Sequence, residues 1–111
     1  MKGNIIVMST TNSKELAIKI ADALLNKKIV ACVNILPGVT SRYWWQGSID
    51  CSEEYILLIK TVEHLFPYVE RVIKELHSYE CPEIISLPIL AGSEEYLSWM
   101  NNSVTRPANI S

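Results

Sequence analysis

The chain of 111 residues carries 10 Lys and Arg against 12 Asp and Glu, a net charge of −2, and is 49% hydrophobic. That length and apolar share describe one globular domain able to build a core, though one small enough to gain from association. The acidic balance excludes a nucleic-acid surface, which needs a basic excess to displace counterions, and no apolar run approaches the about 20 residues of a membrane-embedded helix.

Residues 5–8 form a continuous apolar run, read as a buried strand that stops where 9–13 turn polar. Asn12, three residues before Glu15, is placed to cap the helix that follows. Leu16, Ile20 and Leu24 repeat at helical spacing with Ala17 and Ala21 beside them, while Glu15, Lys19, Asp22 and Asn26 hold the wet face. Lys27 and Lys28 suit the negative end of that helix.

Residues 29–36 are apolar and β-branched, a second strand. Pro37-Gly38 interrupts it as a bulge or bend, and strand-like composition continues to Trp45. Gln46-Gly47 is a turn, and the return arm ends in the apolar run 55–59 followed by Lys60-Thr61. Glu53 and Glu54 read as a solvated pair or a sheet bulge, and His64 as surface. Leu65, Val69, Val72, Ile73 and Leu76 give a second helical stripe, with Pro67 tolerable only near its start. Residues 84–90 are a last strand, marked by Pro88 as an edge or an irregular end. Ser93-Glu94-Glu95 opens a short helix to about Met100, and a polar tail follows.

The order is β-α-β-β-α-β plus a C-terminal helix. This is an α+β, ferredoxin-like split βαβ plan on an antiparallel sheet, since adjacent hairpin strands run antiparallel. The single domain takes residues 1–102, and 103–111 form the tail. Each hairpin arm of about 15 residues could reach roughly 50 Å, against a radius of gyration near ~13 Å for a domain of this size. The hairpin therefore overhangs the body or bends around it. Tyr43, Trp44 and Trp45 make both faces of its tip aromatic. Such a surface fits subunit association, and Trp99 is a core or interface residue.

Cys32, Cys51 and Cys81 are odd in number and lack zinc-finger spacing, and the N-terminal apolar run is too short for a secretory leader. Reduced thiols in the cytoplasm are expected. Cys32 lies in an apolar strand, where a free cysteine is usually structural. His77, Tyr79 and Glu83 offer an imidazole, a phenol and a carboxylate around a turn stiffened by Pro82, a set able to bind a cation or a small polar molecule. Lys60 closes its strand as a snorkelling edge residue or as the partner of an anion.

Ala31-Cys32-Val33-Asn34, Pro37-Gly38, Tyr43-Trp44-Trp45-Gln46-Gly47 and Ile59-Lys60-Thr61 resemble the core of the CutA family of divalent-cation tolerance proteins. So do the segment from His77 to Ile84 and Tyr96-Leu97-Ser98-Trp99. The resemblance runs in order over nearly the whole chain. It implies a ferredoxin-like subunit and a homotrimer with sheets joined edge to edge, in the architecture of the nitrogen-regulatory PII proteins. It also implies tolerance of copper and other divalent cations without an agreed catalytic activity. In that reading Cys32, Lys60, His77, Tyr79 and Glu83 line inter-subunit clefts that take Cu2+, another divalent cation or a small ligand. Tyr43, Trp44, Trp45 and Trp99 lie at the trimer interface. Metal-binding members can carry a Cys at the end of the first strand and a His-His pair after the second helix. Here these positions are Ser9 and Leu76-His77, so His77 is the metal candidate. Ser78 stands where many members have Pro, and Cys81 where an apolar residue is usual. The alternatives are an enzyme using His77 and Glu83 for acid–base chemistry, or a PII-like signalling or partner-docking scaffold.

Overall fold

The computed structural model describes residues 3–105. Its elements are β1 (Asn4–Thr11), α1 (Lys14–Asn26), β2 (Cys32–Trp45), β3 (Ser48–Val62), a 3-10 turn (Glu63–Leu65), α2 (Phe66–Leu76), β4 (Ile85–Pro88) and α3 (Glu94–Ser103). The sheet order is β2-β3-β1-β4 with every neighbouring pair antiparallel, the ferredoxin-like arrangement.

The helices α1 and α2 cover one face of the sheet. Ile5 and Val7 of β1 and Leu57 and Ile59 of β3 point toward them, against Ala17, Ile20 and Leu24 of α1 and Val69, Val72 and Ile73 of α2. Each strand contributes alternate residues and each helix one stripe, so the two periodicities meet in a single core. The opposite face is only partly covered. Met100 of α3 is fully buried there, while Leu36, Ile85 and Leu87 remain exposed.

Several boundaries differ from the expectation. β1 continues through Ser9, Thr10 and Thr11 because these residues pair with Leu57, Ile56 and Tyr55 of β3. Cross-strand pairing outweighs local polarity here. The α1 cap is Ser13 rather than Asn12; its hydroxyl accepts from Leu16 N at 3.1 Å. β2 starts at Cys32 rather than residue 29, because Lys28 takes a left-handed φ of 58° after the helix. Ile29 and Val30 are buried in the connection. The last helix runs to Ser103, and Thr105 N donates to Lys28 O at 2.7 Å, which ties the first residues of the expected 103–111 tail to the body. Residues 106–111 of that tail lie outside the described residues.

The hairpin spans the molecule, whose longest dimension is 43 Å. Its tip is a two-residue turn in which Gln46 and Gly47 both have positive φ, the twist-matching geometry for tight hairpins. Between the pairs Leu36–Ile56 and Val39–Glu54, β2 advances three residues while β3 advances two. The extra residue at Pro37-Gly38 is a bulge, and it reverses which residues of β2 face each side. Before it, Asn34 and Leu36 lie on the face away from the helices. Beyond it that face takes Val39, Ser41, Tyr43 and Trp45, opposite Glu54, Ser52, Asp50 and Ser48. Gly38 has φ +75°, and nothing lies within 4 Å of where a Cβ would stand. Gly38→Ala is therefore expected to cost about 1–2 kcal/mol from backbone strain alone, read as a lowered urea midpoint with an unchanged slope.

Candidate functional site

Where α2 ends, the chain crosses the end of β1 toward the open side of the sheet. His77 is the C-terminal cap of α2, its N–H bonded to Ile73 O at 2.8 Å. Its ring joins two segments. Nδ1 accepts from Tyr79 N at 3.0 Å, and Nε2 lies 2.6 Å from Thr10 O. A nitrogen that accepts an N–H carries no proton, so the proton sits on Nε2 and is donated to the Thr10 carbonyl. Both ring nitrogens are thus occupied by backbone, and the ring packs at 4.5 Å against that of Tyr79.

Held in this way, Tyr79 donates its hydroxyl to Glu54 Oε2 at 2.6 Å. Glu54 is 5% exposed and forms no ion pair among the described residues. Burial, followed by the hydrogen bond to Glu54 and the charge of that carboxylate, raises the Tyr79 phenol far above its ordinary range, so it remains a neutral donor. Around this pair lies a cavity of about 650 Å³. Thr10, Ser41, Glu54 and Tyr79 form its inner part, with Arg42, Tyr43, Trp44 and Trp45 of the hairpin on one wall. Residues 80–83 form the other wall.

Burial and then the Glu54 charge push the Glu83 carboxyl upward. A carboxyl raised in the fold favours the native state most when protonated. Its contribution is full below the unfolded carboxylate value and is lost as pH rises through the raised folded value. Glu83→Gln is expected to flatten this loss and to be at least as stable as the parent at neutral pH. Paired denaturation curves across the acidic range check this. Because Glu83 is exposed as a residue, the effect should be modest.

The structure separates the five residues expected to share one cleft. His77, Tyr79 and Glu83 belong to the cavity or support it. Cys32 and Lys60 are cross-strand partners near the other end of β3, roughly 20 Å from Glu54 at the rise of a strand. There Lys60 Nζ lies 5.7 Å over the Tyr96 ring, and Cys32 Sγ faces Asn34 Oδ1 at 3.9 Å. Within one subunit these are two places. Trp99 is 46% exposed on α3 against Tyr96, and His64 is exposed as expected. Glu54 overturns its reading as a solvated residue. The signal was its spacing, since Glu54, Ile56, Leu58 and Lys60 alternate onto one face.

Residues 5–103 match the family described as CutA1 divalent ion tolerance protein. The chain is 46% identical over 98 residues to a Thermus thermophilus protein named divalent-cation tolerance protein CutA, covering 88% of this chain and 95% of the relative. It is 41% identical over 100 residues to a rice protein named Protein CutA 1, chloroplastic, covering 90% of this chain and 56% of the longer relative. Among solved structures, a divalent cation tolerance protein from Thermus thermophilus superposes with a TM-score of 0.89 at 44% identity. That alignment covers 92% of this chain and 99% of the other.

Proposed function

Because the chain belongs to the CutA1 divalent ion tolerance family, we propose that it serves tolerance of copper and other divalent cations as a non-enzymatic homotrimer with ligand-binding clefts between subunits. The observation that carries the trimer is the exposed apolar surface. Leu36, Ile85 and Leu87 on the open sheet face, and Tyr43, Trp44 and Trp45 on the hairpin, are all at least 38% exposed. A lone domain of this size rarely leaves such a surface in water, and threefold closure would cover it in every copy. Assembly also offers a route by which Lys60 and Cys32 of one subunit approach the cavity of the next. Light scattering should return three times the 12.6 kDa chain mass. A stable monomer at micromolar concentration would sink the reading.

The occupied ring of His77 favours binding over acid–base catalysis. A general base needs a free nitrogen within reach of substrate, and here each nitrogen is 3.0 Å or less from a backbone atom. A metal ion at Nδ1 would have to displace the Tyr79 N–H. Among the described residues no three His, Cys, Asp or Glu side chains gather as a metal set. We therefore assign any direct coordination by His77 to the assembled trimer, where copies can combine. Calorimetric titration of Cu2+ into the parent and His77→Ala tests this. Binding lost in the variant makes His77 a ligand; equal heats assign metal tolerance to an indirect route through the cleft. Cys32, Cys51 and Cys81 are free thiols, and we place the protein in a reducing compartment, the cytoplasm. Fractionation with an antibody to the chain checks that placement.

A further inference from the structure

We propose that Lys60 of a neighbouring copy enters the cavity beside Tyr79 and pairs with the buried Glu54 there, so that each cavity is completed by two subunits. The pairing rests on the homotrimer reading given above and supplies its charged contact.

Glu54 is a carboxylate 5% exposed, with no ion pair among the described residues. Tyr79 occupies Oε2 at 2.6 Å, and Oε1 accepts no hydrogen bond among those residues. A buried charge without a counter-charge is expensive, and proteins normally supply one. Arg42 and Lys60 are the cationic residues of the four described strands. Arg42 stands opposite Cys51 in register, so it alternates onto the other face of the hairpin from Glu54, and it forms no ion pair among the described residues. The facing wall of the cavity adds only Glu80 and Glu83 to the charge. The protomer therefore fixes the carboxylate in place, and its cation has to come from another copy.

Lys60 is the complementary half. It is half-buried, its Nζ lies 5.7 Å over the Tyr96 ring, and it has no carboxylate partner among the described residues. The open face of β3 reads Glu54, Ile56, Leu58, Lys60: acidic at one end, apolar in the middle, basic at the other. The two charges stand roughly 20 Å apart at the rise of a strand, well beyond the about 8 Å over which charges act in physiological salt. They cannot answer each other within one chain. A head-to-tail contact repeated around a threefold axis sets the basic end of one copy against the acidic end of the next. Each copy then gives one cation and receives one. The same contact covers Ile56 and its cross-strand partner Leu36, which is 40% exposed in the protomer.

The experiment follows dissociation of the full chain by sedimentation across a urea series, with far-UV circular dichroism on the same samples. The parent is compared with Glu54→Gln, Lys60→Gln and the double variant. Each single substitution should weaken association at least about tenfold per contact, because it leaves a buried charge without its partner. The double variant should lose less than the two singles together, by a coupling of at least about tenfold per contact. Across roughly 20 Å within one chain no such coupling is expected, so it reports a subunit boundary. Lys60→Arg, which keeps the charge, should retain more of the assembly than Lys60→Gln. Lys60→Glu sets a carboxylate against Glu54 and should dissociate the assembly further than Lys60→Gln, which keeps the test available should Glu54→Gln not fold. Additive losses in folded variants, or parent-like assembly of Lys60→Glu, overturn the pairing and leave the trimer standing. Coupling of Lys60→Gln to Glu83→Gln in place of Glu54→Gln also overturns it. A parent that stays monomeric at micromolar concentration overturns the pairing and the trimer together. A parent dimer that shows the coupling refutes the trimer and retains the pair.

Discussion

Tyr79→Phe is expected to destabilise the protein by about 2 kcal/mol, the cost of leaving a buried polar partner unsatisfied. The ring itself is kept, so its packing at 4.5 Å against His77 and the bond from Tyr79 N to His77 Nδ1 should survive. Only the hydroxyl is lost, and with it the 2.6 Å bond that is the sole hydrogen bond to the Glu54 carboxylate among the described residues. Glu54 has no ion pair among those residues either, so nothing else described in the protomer compensates its charge. Urea denaturation at fixed protein concentration should show a lower midpoint with an unchanged slope. A double-mutant cycle with Glu54→Gln should recover much of the loss as coupling. A loss within about 0.5 kcal/mol, the range of ordinary surface changes, would mean that water reaches Glu54 freely.

The elements that the sequence announced are those whose signals are local. The stripe of Ile20 and Leu24 became the buried face of α1, and that of Val69, Val72 and Ile73 the buried face of α2. Gln46-Gly47 became the hairpin tip and Pro37-Gly38 the bulge, because positive φ and a missing donor are properties of those residues themselves. The cap at Ser13 instead of Asn12 is a contest between neighbours of similar propensity, decided by where β1 ends.

The candidate site was only half legible. His77, Tyr79 and Glu83 are close in sequence, and the turn around Pro82 keeps them close in space. Glu54 lies 25 residues from Tyr79, and a glutamate is ordinarily exposed. Only strand pairing places it under the phenol. Cys32 and Lys60 carried the resemblance equally well, yet strand register sends them to the far end of the sheet. One missing piece of knowledge, the effect of the bulge on facing, explains the aromatic wall as well. Alternation alone gives Tyr43 and Trp45 a shared side but cannot say which side that is until the extra residue at Pro37-Gly38 is counted.

Trp44→Ala is expected to dissociate the proposed trimer. Trp44 is 73% exposed in the protomer, the most exposed of the aromatic side chains at the hairpin tip. Its register sets it on the opposite face of the hairpin from Tyr43 and Trp45, and although it also borders the cavity, its large exposed surface can meet a neighbouring subunit. Burying most of a tryptophan removes roughly 150 Å² or more from water, about 4 kcal/mol at the usual coefficient. In a closed trimer the substitution recurs at every equivalent contact, so the penalty approaches about 12 kcal/mol per assembly before relaxation. Sedimentation should then show a protomer population that grows on dilution, with far-UV signal retained if the monomer core of Val7, Leu24, Ile59 and Ile73 holds by itself. The same substitution separates association from folding, since the side chain contributes little to that core. An unchanged trimer in Trp44→Ala would move the principal contact to the open sheet face, where Leu87→Lys is the next variant to measure.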